Sequence, residues 1–308
     1  MGILFAFLSG LAFALNNILI KKGMKDDESA DNSFFLTVLL NVILLGFAFL
    51  IAWQMRGFSF AFSPRAFAFF VLSGLCTTAM GRFTLFASIR QIGPTRASAI
   101  KNGSPMFTVL FALLLLGETI GQGPALGIAV MLAGILVQGI ILFRQKSEAD
   151  RIDSPDEGAA LRLQWFGYLL GIVSAISFGI GQVFRKQGLL LMDDAFFGAF
   201  TGALVSLLFV CVYEGVRGQL RTVVRKSFRE FNRCYFLAGV MSSLGPLFFF
   251  LGSSLTQVSY VSVVAAAEPL LTVLFSKWLL KNEERLTRSV WATVVLVLSG
   301  TVLMISTA

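Results

Sequence analysis

The chain has 308 residues, of which 56% are hydrophobic and 14% charged, and its formal net charge is +8 at pH 7. The mean hydropathy of +0.81 excludes an ordinary soluble domain, in which about 25% of residues are charged. Histidine is absent, which excludes imidazole proton relays and histidine-ligated metals. The composition indicates an integral membrane protein whose main partner is the lipid bilayer, with no nucleic-acid partner.

Long apolar stretches follow one another along the whole chain. A helix needs about 20 mostly apolar residues to cross roughly 30 Å of hydrocarbon, and it satisfies its own backbone polar groups. We therefore predict an all-α integral membrane fold, whose first helix is retained because it has neither a basic n-region nor a small-residue cleavage site. The ten predicted transmembrane helices span residues 3–20, 34–53, 66–88, 95–116, 122–143, 165–184, 196–213, 234–255, 258–280 and 288–306.

The fourth and ninth predicted spans contain the same residues in the same order. "PMFTVLF" begins at Pro105 and "PLLTVLF" at Pro269, so the shared Pro, Thr, Val, Leu and Phe recur 164 positions apart. The charges beside the prolines differ, because Glu268 precedes the second proline whereas Ser104 precedes the first. Chance similarity between apolar segments does not explain a match that includes polar positions.

A shift of about 165 positions also aligns polar and glycine residues in other spans. The pairs are Ser9 with Ser174, Phe13 with Phe178, Asn17 with Gln182, Lys21 with Lys186, Gly74 with Gly239, Thr77 with Ser242 and Thr78 with Ser243. Because each half contains five spans, an odd number, the second half crosses the membrane in the opposite direction. We predict two inverted five-helix repeats, residues 1–146 and 164–308, joined by a charged linker at 147–163.

This doubled unit resembles the EamA-type exporters of the drug/metabolite transporter superfamily over nearly the whole chain. The resemblance also rests on a motif in each fourth helix, in which a small or acidic residue precedes proline and an apolar run ends in an acid. The copies are "SPMFTVLFALLLLGE" and "EPLLTVLFSKWLLKNE", and the second departs from the family's Leu-Gly-Glu ending. The resemblance implies a transporter, in a family whose substrates include amino acids, amines, sugars and drugs.

Polar residues inside the predicted spans are the candidate site. A carboxylate at the centre of a span, such as Glu268, costs about 2.5–3.5 kcal/mol on insertion scales, so it normally faces a cavity or a cation. The competing interpretation is a structural carboxyl beside Pro269. Lys101 and Arg82 either face a cavity or extend their charges to the headgroups. The candidate substrate-binding or coupling residues are Glu268, Lys101, Arg82, Asn16, Asn17, Asn102, Gln182, Ser242 and Ser243.

Prolines interrupt several spans, and we interpret Pro94, Pro105, Pro246 and Pro269 as candidate hinges. The leading hypothesis is a secondary transporter that exports small polar or amphipathic metabolites, resembling amino acids, by proton coupling or exchange with alternating access. The alternative is a membrane-embedded enzyme acting on a lipid-linked substrate, although no catalytic motif of such enzymes occurs. A channel or assembly subunit is a third class. No cofactor or metal is expected.

Charge patterning predicts the orientation in the membrane. Counted with Arg96 and Arg288 at the adjoining span ends, the odd-numbered connections carry 18 Lys and Arg against 4 in the even-numbered ones. By the positive-inside rule the odd connections are cytoplasmic and both termini face outward, and the basic amphipathic segment 220–231 agrees with this. The family resemblance implies the opposite orientation. In either case both termini lie on one side of the plasma (inner) membrane, and the protein is a monomer or a homodimer.

Overall fold

The computed structural model describes residues 1–26, 32–92, 97, 100–150, 157–229, 233–268, 270–272, 275, 295–296, 299–300, 302–303 and 306. Every regular element in these residues is helical. The helices are α1 (Gly2–Asp26), α2 (Asn32–Met55), α3 (Pro64–Gly74), a π-helical segment (Leu75–Arg82), α4 (Phe83–Ile92), α5 (Ser104–Leu115), α6 (Gln122–Asp150), α7 (Glu157–Leu191), α8 (Ala195–Val216), α9 (Leu220–Arg229), α10 (Arg233–Leu255) and α11 (Val258–Ala265).

Six of these helical stretches are long and apolar enough to cross a membrane. They are Gly2–Ile20, Phe35–Met55, Pro64–Ile92, Trp165–Leu191, Ala195–Val216 and Arg233–Leu255. Ser104–Leu115, Gln122–Gly134 and Val258–Thr272 are shorter apolar helices, and most of the predicted span 288–306 lies outside the described residues. The all-helical membrane fold is confirmed, whereas the count of ten spans stays a prediction.

The fourth and ninth predicted spans are interrupted at corresponding positions. In the first repeat, a turn at residues 102–103 precedes α5, and in the second a turn at residues 266–267 follows α11. Proline has no backbone N–H and clashes with a preceding helical turn, so Pro105 begins a half-helix instead of bending a continuous one. Pro94 and Pro269 lie outside the described residues.

The π-helical segment explains a change in the spacing between the repeats. Gly74 precedes its match Gly239 by 165 positions, whereas Gly81 precedes Gly245 by 164. The first repeat therefore contains one extra residue between these glycines, within Leu75–Arg82. A π-helical turn accommodates such a residue by widening the backbone hydrogen bonds from i→i+4 to i→i+5.

The two halves pack against each other reciprocally: the first helix of each repeat contacts the third span of the other. α1 lies along α10, and α7 lies against α3 and α4. The Ser9 hydroxyl donates to the carbonyl of Gly245 at 2.8 Å, and the matching Ser174 hydroxyl donates to the carbonyl of Gly81 at 2.7 Å. A Cβ at Gly245 would lie 2.8 Å from the ring of Phe13, which shows how closely these helices approach.

The predicted linker is partly helical. α6 continues to Asp150 and α7 begins at Glu157, so both helices extend into the charged segment 147–163. Only residues 151–156 between them fall outside the description. Charged residues ended the predicted spans here, but helices can continue beyond the hydrocarbon region where water solvates their side chains.

Candidate functional site

A cavity of about 460 Å³ lies between the two halves of the chain. This volume falls within the range of roughly 300–1,000 Å³ that is usual for small-molecule sites. Its walls come from α1, α2, α3, the π-helical segment, α5, α7, α8 and α10, and from residues on both sides of the break after α11. Eight of the nine predicted site residues line it: Asn16, Asn17, Arg82, Lys101, Asn102, Gln182, Ser242 and Glu268.

The ninth, Ser243, lies behind the wall. It is buried, with its hydroxyl 2.8 Å from Oδ1 of Asn41 and 2.8 Å from the carbonyl of Gly239. Asn41 in turn donates through Nδ2 to the hydroxyl of Ser242 at 3.2 Å, and both of these residues line the cavity. Ser243 therefore orients a lining amide, and sequence reasoning did not identify that amide.

Glu268 connects the broken ninth span to α1. Nδ2 of Asn17 donates to Oε1 of Glu268 at 2.6 Å, and Nδ2 of Asn16 lies 3.5 Å from Oδ1 of Asn17. Hydrogen bonds to a carboxylate are shorter and stronger than neutral ones. The carboxylate thus links the two repeats across the cavity.

Lys101 projects into the cavity. Its ammonium lies 5.2 Å from the centre of the Phe178 ring on α7. An ammonium over an aromatic face is attracted by the ring's quadrupole, and this attraction increases where water is excluded.

Arg185 is a lining residue that the sequence analysis did not select. Its side chain is 9% exposed, and its guanidinium carbon lies 5.0 Å from the ring centre of Phe249 and 4.3 Å from that of Phe250. The predicted sixth span ended at residue 184, so Arg185 counted as part of a connection. α7 continues to Leu191, which places Arg185 within the span.

Two amide oxygens at the cavity are buried without a hydrogen-bond partner among the described residues. They are Oδ1 of Asn16 and Oε1 of Gln182. A buried acceptor left unpaired costs about 1–3 kcal/mol. Both therefore provide positions where a ligand's N–H or O–H group would be stabilised.

The π-helical segment lines the cavity with hydroxyl groups beside Arg82. The Thr77 hydroxyl donates to the carbonyl of Ser73 at 2.8 Å, and the hydroxyls of Thr78 and Ser206 are 2.8 Å apart. On the opposite wall Pro246 lies inside α10, where its missing N–H removes one helical hydrogen bond. Irregular backbone occurs in membrane proteins where it lines a cavity.

Polar contacts join the span ends at one face of the bundle. The carboxylate of Glu118, after α5, accepts from the backbone N–H of Val258 at 2.7 Å and from the Ser259 hydroxyl at 2.6 Å. The ammonium of Lys186 donates to the carbonyls of Ser253 at 2.6 Å and Thr256 at 2.9 Å. Each charge compensates unpaired backbone groups at a helix end.

An ion pair and a group of aromatic rings close the same face. Nη1 of Arg56 lies 3.0 Å from Oδ2 of Asp194, which joins the end of α2 to the start of α8. The Phe197 ring lies within 6.2 Å of five other rings, measured between centroids: Phe49, Phe60, Phe62, Phe67 and Phe70. Phe70 contacts Phe250, which stacks on Arg185. The arginine therefore lies next to the closed end of the cavity.

Within the described part of the chain, no three or more His, Cys, Asp or Glu side chains are grouped as a metal site would require. A family model described as the EamA-like transporter family matches residues 1–139 and 165–306. A solved crystal structure of a protein is 17% identical, with 98% of this chain and 95% of that chain covered and a TM-score of 0.67, which is a likeness of fold alone. No curated protein matches this chain. The chain is a multi-pass membrane protein that belongs to the EamA-like transporter family.

Proposed function

We propose that the protein is a secondary transporter that exports small polar or amphipathic metabolites, resembling amino acids, across the plasma membrane. The observation that carries this proposal is the cavity of about 460 Å³, which residues of both halves line. Transporters of repeated architecture hold their substrates near the membrane midplane between the repeats. The interrupted fourth and ninth spans, whose breaks line this cavity, are typical of such sites.

Alternating access between inverted repeats is the mechanism that fits the reciprocal contacts. The paired hydrogen bonds from Ser9 and Ser174 are what a pseudo-two-fold axis in the membrane plane would produce. One repeat can then rock against the other, with Pro105 and Pro246 beside the cavity as the hinges. Glu268 is our candidate for proton coupling or exchange. In this scheme its carboxylate binds Asn17 in one state, and a proton or the substrate in the other.

Transport into sealed vesicles tests the proposal. Labelled metabolites would be supplied to vesicles that contain the purified protein, with a pH gradient imposed. Accumulation without chemical change supports transport, and conversion of a lipid-linked substrate would indicate an enzyme. If neither occurs, both the transporter and the enzyme are contradicted. Metabolites enriched in the medium of cells that express the protein identify which compounds to label.

A variant that fills the cavity tests its role in transport, and the same substitution elsewhere on the helix provides the matched control. Gly202 lines the cavity, and a Cβ built there meets nothing within 4 Å, so Gly202→Phe places a ring in the pathway without a clash at the backbone. Gly215 lies on the same helix, equally open, and is not among the lining residues. We expect Gly202→Phe to abolish accumulation and Gly215→Phe to retain it.

The orientation is proposed from the charge count, with both termini outside. The arginines of α9 at positions 221 and 225 are exposed on one face, which suits an anionic cytoplasmic leaflet. Reporter fusions at residues 150 and 308 distinguish the two orientations. A C-terminal fusion that is active only in the cytoplasm would reverse this assignment.

A further inference from the structure

The charged side chains that line the cavity do not balance within the described part of the chain. Lys101 and Arg185 are cations, and Glu268 is the single anion among the described lining residues. Arg82 also lines the cavity, but it has an interaction of its own and is left out of the count. Two minus one leaves a net charge of +1. Uncompensated charge inside a membrane protein is expensive, so buried charges are normally paired. A substrate that carries negative charge would complete this balance.

Arg185 is placed to bind an oxyanion. It is 9% exposed, and its Nε has no hydrogen-bond partner among the described residues. Because its guanidinium lies over the rings of Phe249 and Phe250, the N–H groups at its edge are left to bind a ligand. A planar guanidinium pairs with carboxylate or phosphate through two parallel hydrogen bonds. The repeat partner of Arg185, 165 positions earlier, is Ile20, so this cation belongs to one repeat only.

Lys101 and Arg185 lie at the two ends of one face of α7. Arg185 belongs to α7, whereas Lys101 comes from the start of the fourth span and contacts Phe178 of α7. Phe178, Gln182 and Arg185 follow at i, i+4 and i+7, which places them on one helical face. Lys101 lies over Phe178, so the two cations are separated by about two turns, or roughly 10 Å along the helix axis. The unpaired Oε1 of Gln182 lies between them and requires a donor.

The start of α5 adds to the positive potential. No side chain caps this helix and its first turn contains no acidic residue, while Ser104 and Pro105 line the cavity. Half-helix N-termini of this kind face anionic substrate groups in other transporters. In the second repeat the residue that matches Ser104 is Glu268, so a negative charge is already present there.

We infer that the substrate is a small organic anion, whose carboxylate or phosphate group is bound by Arg185 while a hydroxyl or amino group donates to Gln182, and that Lys101 adds positive potential from the other end of the same face. This inference rests on the proposed function and narrows its substrate class from polar metabolites in general to those with net negative charge. A neutral zwitterion leaves the net charge of the cavity uncompensated.

Binding to the purified protein tests the inference without transport. The thermal midpoint of the wild-type protein would be measured with three anions, inorganic phosphate, succinate and glutamate. The control compounds, which lack net negative charge, are succinamide for succinate, glutamine for glutamate, and lysine as a cation, all at one ionic strength. We expect at least one anion to raise the midpoint and the control compounds to leave it unchanged. Equal effects of anions and control compounds would overturn the inference.

Variants at Arg185 show where the anion binds. Arg185→Gln removes the charge and should abolish the anion-dependent shift, whereas Arg185→Lys keeps the charge without the planar fork and should weaken apparent affinity about tenfold. Arg217 is the matched control, because it also stacks on an aromatic ring, that of Tyr213, but is exposed and is not a lining residue. Arg217→Gln should leave the shift intact. An unchanged shift in Arg185→Gln would overturn the assignment.

Vesicle transport separates this inference from the proposed function. Anion binding without transport would retain the anion site and contradict the transporter. Transport of zwitterions or cations that Arg185→Gln does not impair would retain the transporter and overturn the anion site. Transport of an anion that Arg185→Gln abolishes supports both.

Discussion

A single hydrogen bond places Glu268 at the junction of the two repeats. Asn17 donates to it at 2.6 Å, although the two residues are 251 positions apart in the chain. In the proposed coupling scheme, loss of the charge on this side chain would weaken the bond and with it the contact between α1 and the ninth span.

The first prediction concerns Glu268→Gln. Glutamine preserves the volume and retains an oxygen that accepts from Asn17, so insertion and folding should survive. The variant cannot gain or lose a proton, and coupled transport should decrease about tenfold or more, which corresponds to about 1.4 kcal/mol. Uptake by vesicles across a pH gradient measures this, and wild-type rates between pH 6 and 8 would contradict the coupling role.

The second prediction concerns Lys101→Met. Methionine keeps the apolar stem above Phe178 and removes the ammonium, so the site loses a cation with little loss of packing. We expect the apparent KM for transport to increase about tenfold, by the cost of losing one charged contact. Lys22→Met is the control, since Lys22 is exposed at the end of the first span. If both variants transport like wild type, Lys101 only positions a helix end.

Among the elements, the long apolar helices were predictable and the π-helical segment was not. Apolar runs and their prolines indicated the helices and the repeat, and polar residues within spans, such as Asn16 and Gln182, indicated the cavity lining. The π-helical segment Leu75–Arg82 accommodates one extra residue. In the sequence this residue is visible only because the spacing between matching residues of the two repeats changes from 165 to 164 positions. Propensity gives no signal for such a change.

The sequence analysis missed two contacts, for physical reasons. Arg185 lies in a span that the sequence analysis ended at residue 184, seven residues before the helix ends, because adjacent Arg and Lys resemble an interfacial end. Glu118 was visible only as the acid that ends a motif. Its partners at Val258 and Ser259 are about 140 positions away, and no local pattern predicts a cap supplied by a distant helix end.

The third prediction tests this cap. Glu118→Ala leaves the N–H and hydroxyl groups at the start of α11 without their acceptor, and loss of an N-terminal cap costs about 0.5–2 kcal/mol. The thermal midpoint of the purified protein should decrease by about 2–4 °C per kcal/mol for a chain of this size. Glu214→Ala is the control, because no side-chain hydrogen bond of Glu214 occurs within the described residues. Equal midpoints in the two variants would contradict the capping role.

At the scale of the whole molecule, one face of the bundle is closed by three kinds of contact. These are the cap from Glu118, the Arg56–Asp194 ion pair and the aromatic rings around Phe197. Arg185 lines the cavity next to these contacts, so under the proposed alternating access they must separate when a substrate passes. Arg56 is partly exposed in the ion pair, whereas Asp194 is buried, so solvent screens the pair only in part.

The fourth prediction is that a covalent link across this face stops transport. Arg56→Cys and Asp193→Cys place thiols at the ends of α2 and α8, and Asp194 keeps its bond to the backbone N–H of Phe197. The native cysteines, Cys76, Cys211 and Cys234, would first be replaced by alanine. A short reducible thiol cross-linker should then abolish vesicle uptake in the double variant and leave both single variants active. Cleavage of the linker should restore uptake, because the link prevents only the separation of α2 from α8. Uptake that continues at the unlinked rate would mean that this face does not open, and rocking of the repeats about the cavity would be wrong.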